Sequence, residues 1–288
     1  MDRPGTMADS GGFERWGDAV PASPVVLSVP HAGRDYPLPI RAAARGSLAT
    51  LAALEDRFVD AVALAARGDE TLLVQRRARA WIDLNRAEDE RDPRVDEGAS
   101  PGPVVSAKVG HGLGLIPRRS GLLDDLWRRR WSDAEVHARI ASDHRPYHAA
   151  LADALAAARA RWGVAVLVDL HSMPPLTGAA RHTRVVLGDR WARAAGTRFV
   201  ARAEAVVAAA GLCVALNSPY AGGHILDRHG DPAAGIHAIQ LELDRSLYLD
   251  TALRGPGPGL TRIAGVIRDV MAALANEALA AGLPLAAE

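Results

Sequence analysis

The sequence predicts an α/β protein, with a mixed, mostly parallel sheet held between helical layers. Three observations carry that prediction. Short apolar runs alternate with longer helical stretches along the chain, the pattern of strands covered by helices. The clearest run, Ala165-Val166-Leu167-Val168-Asp169-Leu170, is almost continuously apolar, as a strand buried on both faces should be. No repeat or composition break divides the 288 residues, so residues 16–288 read as one domain behind a loose N-terminal segment, 1–15.

Taken in order, Val25-Val26-Leu27-Ser28-Val29 is a strand that Pro30 ends. Residues 48–67 form a helix, because Leu51, Leu54, Phe58 and Val62 recur at helical spacing. Residues 71–75 and 81–84 are strands, and the acidic, Pro- and Gly-containing stretch 87–102 is a long loop of the kind that often carries function. A second helical region spans 122–161, bent or divided at Pro146. His137, His144 and His148 lie in it, the last two on one face; they read first as a packing face and only second as metal ligands. Strands follow at 165–170, 183–187, 212–216 and 238–243, with helices at 191–210 and 260–280.

Composition removes whole classes of function. The 34 basic and 34 acidic residues balance, which takes away the electrostatic argument for nucleic acid or an anionic membrane as partner. Cys213 is alone, so neither a disulfide framework within the chain nor a multi-cysteine zinc site is available. The opening MDRPGTMADSGG has no apolar run suited to a signal peptide, and no later stretch reads as a membrane span. A cytoplasmic location is therefore expected, with Met1 or Met7 as the start. Nothing in the sequence sets an oligomeric state.

The chemistry begins where strands stop. His31 follows the first strand through Pro30, and His171 closes the strongest one. Both can project into the crevice beyond the strand ends, and neutral imidazoles are suitable zinc ligands. Asp56 or Glu55 could supply a third ligand, with Asp35 also nearby in sequence. Arg79 and Arg86 flank the 81–84 segment, and Asn85 adds an amide; a guanidinium fork matches a carboxylate and can stabilise charge on a carbonyl oxygen. Glu242 interrupts an apolar strand, where a carboxylate is costly unless paired or functional. Asp169, His171 and Ser172 are too close in sequence to converge as a serine-hydrolase triad, so Ser172 reads as a supporting residue and Asp169 as a group that orients a histidine. Gly110-His111-Gly112-Leu113-Gly114 and Gly222-Gly223 lack the full nucleotide-binding patterns and read as permissive turns.

Ser28-Val29-Pro30-His31-Ala32-Gly33 with Tyr36-Pro37, Glu55-Asp56 with Asp60, Ile82-Asp83-Leu84-Asn85-Arg86, Asp169-Leu170-His171-Ser172, Asn217-Ser218-Pro219-Tyr220-Ala221-Gly222-Gly223, and Gln240-Leu241-Glu242-Leu243 with Tyr248 run in order over most of the chain. Together they resemble the N-formylglutamate amidohydrolase (N-formylglutamate deformylase) family, which itself looks like a branch of the zinc-carboxypeptidase and aspartoacylase-like group with its phosphorylase/hydrolase-like fold. The resemblance implies one zinc ion held by His31, His171 and, preferred over Glu55 and Asp35, Asp56. It implies that Asn85 and Arg86 grip a substrate carboxylate. Tyr220, Gly222, Gly223 and His224, at the permissive turn, read as pocket-lining residues, and His224 is given no metal role. The resemblance makes Arg79 the oxyanion partner and Glu242 the general acid/base. The implied reaction is attack of zinc-activated water on N-formyl-L-glutamate, giving formate and L-glutamate in histidine degradation. Another zinc amidohydrolase or carboxypeptidase acting on a related small N-acyl amino acid, and a noncatalytic metal- or carboxylate-binding protein, are the alternatives.

Overall fold

The computed structural model describes residues 12–100 and 106–282. Seven strands, β1 (Phe13–Trp16), β2 (Val25–Val29), β3 (Thr71–Gln75), β4 (Ala165–Met173), β5 (Val185–Gly188), β6 (Val214–Leu216) and β7 (Ile236–Asp244), form one sheet. Its order is β1-β3-β2-β4-β7-β5-β6. The central strands β3, β2, β4 and β7 are mutually parallel, while β1 and β5 run antiparallel to their neighbours β3 and β7. The fold is thus mixed α/β with a largely parallel sheet between helices.

The helices are α1 (Leu38–Ala43), α2 (Leu48–Ala52), α3 (Val59–Ala66), α4 (Ala107–Gly110), α5 (Asp133–Arg139), α6 (Arg145–Trp162), α7 (Thr197–Ala209), α8 (His224–His229) and α9 (Leu260–Gly282). Because side chains alternate across a strand, each central strand feeds two cores. Val25, Leu27, Val168 and Leu241 pack with α3, α7 and α9 on one face, while Val26, Leu73, Leu167 and Ala238 pack with α6 on the other.

Several expectations are corrected. Residues 13–15, expected to be loose, belong to β1; residues 1–11 lie outside the described residues, as do 101–105 in the long loop. Residues 81–84 are irregular chain between turns rather than a strand: Asp83 is buried with Ile82 and Leu84, and its N–H donates to the Leu115 carbonyl at 2.8 Å instead of to a neighbouring strand. The 48–67 helix breaks between α2 and α3, where the Asp56 N–H leaves the helical ladder for the His31 carbonyl at 2.9 Å and Phe58 adopts a left-handed φ of 56°. The helix expected from residue 122 starts only at Asp133, behind a Ser132–Glu135 capping box. Pro146 sits in the first turn of α6, where proline is tolerated, and the irregularity falls just before it as a π-helical turn, Ile140–His144. The helix expected from residue 191 starts at Thr197, since Arg190, Trp191 and Ala192 all have positive φ.

Candidate active site

Since β2, β3, β4 and β7 are parallel, their carboxyl ends open on one edge of the sheet. On the α6 face the rows that begin with Val26, Leu167 and Ala238 continue, two residues at a time, into Ser28, then Asp169 and His171, then Gln240 and Glu242. Pairing sets Asp169 beside Gln240 and His171 beside Glu242. An apolar surface therefore turns polar toward the carboxyl edge. A cleft of about 440 Å³ lies there, and its lining includes His31, Asp56, Arg79, Asn85, Arg86, His171, Tyr220, Gly222, Gly223 and Glu242.

Three of these converge. His171 Nδ1 lies 2.9 Å and His31 Nδ1 3.5 Å from the same oxygen, Oδ2 of Asp56. Each ring is turned by a carboxylate on its far side: His31 Nε2 meets Asp83 Oδ1 at 2.7 Å, and His171 Nε2 meets Asp169 Oδ2 at 2.8 Å. An ionised carboxylate only accepts, so each Nε2 donates and each Nδ1 is left to face Asp56. Asp169 is held in turn by Ser28 Oγ at 2.8 Å, and Asp83 by Arg79 Nε and Nη2, both at 2.8 Å. Arg245, at the end of β7, fixes Asp56 through its other oxygen at 3.3 Å and donates to the Glu55 carbonyl at 2.6 Å.

This donor set fits a divalent ion. His31 Nδ1 is buried without a hydrogen-bond partner, and two imidazoles and a carboxylate, each backed by a further group, form a zinc-type set. The charges point the same way. Burial opposes an ionised Asp56, yet the hydrogen bond with His171 and the neighbouring His31 ring hold its pKa well below the usual carboxylate range. Burial also opposes charge on His171, but Asp169, and then Asp56, raise its pKa well above the usual imidazole value. The cavity between these groups favours positive charge.

Glu242, 8% exposed, has its carboxyl pushed up to about 7 by burial, with His171 opposing and Asp56 adding to the rise. Gln240 Nε2 donates to Glu242 Oε1 at 2.9 Å and Asn85 Nδ2 donates to Gln240 Oε1 at 3.3 Å, a relay that ties the 84–86 loop to β7. Asn85 Oδ1 accepts from the Ile225 N–H at 2.9 Å, so most of its amide is used inside the protein. Arg86 spends Nε on the Leu113 carbonyl at 2.7 Å and Nη1 on the Asn85 carbonyl at 2.5 Å. The fork expected from the sequence is thus largely committed, and Nη2 is the nitrogen left for a ligand. Gly223 lets α8 approach this loop, since a Cβ there would come within 2.5 Å of Asn85 Oδ1.

Other sequence expectations separate cleanly. Glu55 turns away from the histidines to Tyr36 and Arg57, and Asp35 is exposed, so of the three carboxylates considered only Asp56 joins the imidazoles. Ser172 accepts from Arg245 Nε at 3.1 Å and has no nucleophile's geometry, while Asp169 orients His171 as anticipated. His224 is a correction: it is not among the residues lining the cleft, because the first turn of α8 directs its ring toward His144 and His148. Sequence reasoning missed Lys108, Gln240 and Arg245, which all line the cleft. Among the described residues the Lys108 ammonium has no ion-pair partner. Its pKa is lowered by burial and then by the nearby Arg86 and Arg79 charges. The sequence signal for Arg245 was a cation directly after a buried strand; for Lys108 there was none.

The N-formylglutamate amidohydrolase family model matches residues 23–249, which takes in every residue of this cleft. The chain belongs to the N-formylglutamate amidohydrolase family. It is 30% identical over 182 residues to an N-formylglutamate deformylase of Pseudomonas aeruginosa, a match over 60% of this chain and 62% of that protein. It is 27% identical to an N-formylglutamate deformylase of Pseudomonas putida over 79% of this chain and 82% of that one. A crystal structure of N-formylglutamate amidohydrolase from Ralstonia eutropha superposes with a TM-score of 0.82 at 31% identity, covering 95% of this chain and 100% of that one. A gene product of Agrobacterium tumefaciens shares the fold, with a TM-score of 0.69 at 22% identity over 97% and 99% of the two chains. Membership in the amidohydrolase family supports hydrolysis of the N-formylglutamate deformylase type. No described helix is long and apolar enough to cross a membrane.

Proposed function

We propose that this cleft hydrolyses N-formyl-L-glutamate to formate and L-glutamate, with one zinc ion held by His31, Asp56 and His171. The observation that carries the reading is the convergence of two Nδ1 atoms on one Asp56 oxygen, each ring backed by its own carboxylate, in a cleft that also holds Glu242 and Arg79. When bound, such an ion polarises a carbonyl oxygen and makes water more acidic. Glu242 takes the proton from the attacking water and returns it to the departing nitrogen, as a carboxyl group titrating near neutrality can do. The water oxygen bonds to the formyl carbon and the carbonyl pair moves onto its oxygen; that pair then returns as the carbon–nitrogen bond breaks and the nitrogen takes its proton, so formate and the free amine are the products.

Arg79, fixed by Asp83, sets positive charge beside the tetrahedral oxyanion. Arg86 and Lys108 supply cationic donors for the two substrate carboxylates, Asn85 steadies the loop that carries Arg86, and Tyr220, Gly222 and Gly223 close the wall. We read the described residues from Phe13 onward as one zinc-carboxypeptidase/phosphorylase-hydrolase-like domain, and the protein as cytoplasmic.

The test is turnover of a panel of N-formyl, N-acetyl and N-succinyl amino acids by the chelator-stripped and zinc-restored protein. Formate release from N-formyl-L-glutamate that chelation abolishes and zinc restores is expected. Preference for another acyl group would move the protein to a different amidohydrolase activity. Metal binding without turnover of any member would leave a noncatalytic binding protein.

A further inference from the structure

A second group of histidines lies outside the cleft. His144, His148 and His224 bring one ring nitrogen each within 4.8 Å of one another. The His144 and His148 ring centroids are 4.4 Å apart, and His224 is 5.8 Å and 5.2 Å from them. Their hydrogen bonds assign the lone pairs. His144 Nε2 meets the Arg86 carbonyl at 2.8 Å and His148 Nε2 meets the Leu84 carbonyl at 3.0 Å. A carbonyl can only accept, so both Nε2 atoms carry the proton and both Nδ1 atoms carry a lone pair. A backbone carbonyl that fixes the far nitrogen is the support that metal-ligating histidines ordinarily have.

Two of the nitrogens are unsatisfied. His144 Nδ1 and His224 Nε2 are buried with no hydrogen-bond partner, and His144 is completely buried. Orphaned polar atoms in a protein interior are rare enough to require an explanation. Burial lowers the pKa of all three rings, which keeps them in the neutral form that ligates. The π-helical turn Ile140–His144 sits directly before α6 and sets the angle at which His144 meets His148; such turns recur at functional sites.

We propose that His144 Nδ1, His148 Nδ1 and His224 Nε2 form a second divalent-cation site, separate from the cleft, for a borderline ion of the zinc type. Three neutral imidazoles without a thiolate suit zinc or cobalt and do not suit magnesium or calcium, which take oxygen ligands. Glu88 Oε1, 3.7 Å from His144 Nδ1, puts a carboxylate at the edge of the site. His148 Nδ1 now faces His229 Nε2 at 2.9 Å, so loading exchanges that hydrogen bond for a metal bond. A bound ion would join the π turn, α6 and α8 to the carbonyls of the 84–86 loop.

The experiment is metal stoichiometry on the full chain, stripped with chelator, saturated with Zn²⁺ or Co²⁺ and analysed by elemental analysis and titration calorimetry, with circular dichroism to check folding. His224→Ala is the principal variant, because His224 is only partly buried and its Nε2 makes no hydrogen bond whose loss would cost stability. His148→Asn is the second. The unaltered chain should bind one ion more than His224→Ala. In a His171→Ala background Co²⁺ should still give a visible absorption band, which His224→Ala then removes. That background separates this site from the cleft, because failure of the His31–Asp56–His171 assignment leaves the His224-dependent ion in place. A stoichiometry that His224→Ala leaves unchanged overturns the proposal, and so does a His171→Ala protein that binds no ion at saturating Zn²⁺.

Discussion

Asp83 offers the most direct test of how the candidate metal centre is built. It is fully buried and accepts three hydrogen bonds, from His31 Nε2 at 2.7 Å, from Arg79 Nε at 2.8 Å and from the Asn85 N–H at 2.9 Å, with Arg79 Nη2 in ion-pair contact at 2.8 Å. Asp83→Asn keeps the shape but replaces one oxygen by an NH₂ group and removes the charge. If the remaining oxygen faces His31, the NH₂ meets the Arg79 guanidinium donor to donor; if it faces Arg79, the His31 Nε2 proton loses its acceptor. Removing the carboxylate behind a ligating histidine typically weakens metal binding about 10–100-fold. Breaking a buried ion pair costs about 3–5 kcal/mol, and the opening of Arg79 to the cleft, 18% exposed, reduces that to about 2–3 kcal/mol. Competition with a chromogenic chelator should therefore give weaker zinc binding by about one to two orders of magnitude, with a lower urea midpoint. Arg79→Met added to Asp83→Asn should recover stability without recovering zinc affinity, since it removes the uncompensated cation and leaves His31 unsupported. Unchanged zinc affinity in a folded Asp83→Asn protein would refute the role given to the outer carboxylates.

Further outcomes follow from the same geometry. Glu242→Gln nearly preserves size and the contact to Gln240 but cannot take a proton, so kcat should fall about 10²–10⁴-fold while zinc content and KM change little; an unchanged kcat would send the search for the base elsewhere in the cleft. Lys108→Met should raise KM for N-formyl-L-glutamate more than for its analogue with an amidated side chain, by about tenfold for one lost charge-assisted contact, and equal effects on both substrates would remove Lys108 from side-chain recognition. His237 accepts from the Gly196 N–H through Nδ1 at 3.1 Å, and burial, then Arg198, push its pKa down to about 4. Its folded-state pKa lies below the unfolded value, so its contribution to stability is present above about pH 6.5 and is lost as pH falls toward 4, on the order of 1 kcal/mol after allowance for solvent screening. His237→Asn keeps an acceptor near the same place and cannot titrate, so its urea midpoint should change less between pH 7 and pH 4.5; parallel curves would show that other groups set the slope.

The strands most legible in the sequence were those whose neighbours are also strands. β2, β3, β4 and β7 lie in the middle of the sheet, so nearly all their residues are buried and their runs are apolar except where polar residues gather toward the carboxyl ends. At the sheet's edges the pattern weakens: β1 reads FERW and is half open to solvent, and β6 keeps only three residues, none of them fully buried. Residues 81–84 mimicked a strand because burying Ile82 and Leu84 around a functional carboxylate produces the same alternation as a pleat. The apolar alternation here reported neither the burial of Asp83 nor the kind of backbone that carried it inside.

The site obeys a different logic, which explains why its imidazoles and Asp169 were legible, Asp56 only as one of three candidate carboxylates, and the role of Asp83 not at all. His31 and His171 stand immediately at strand ends, so a local reading already places them on the functional edge. The groups that complete the centre are distant in sequence: Asp83 is 52 residues from His31, Asp56 is 115 from His171, and Asp169 is 141 from Ser28. No spacing rule spans such intervals, and the parallel order of β3, β2 and β4 is what brings the three segments together. Asp56 was hidden further by its surroundings. The apolar spacing of Leu51, Leu54, Phe58 and Val62 is real, and all four side chains pack against the molecule's two cores. An unbroken helix through them would nonetheless have kept the Asp56 N–H in its own ladder. The His31 carbonyl takes that N–H instead, which opens the helix at the position where its carboxylate has to face both imidazoles. The break in the helix and the third member of the centre therefore have one cause, a hydrogen bond to the backbone of the first histidine.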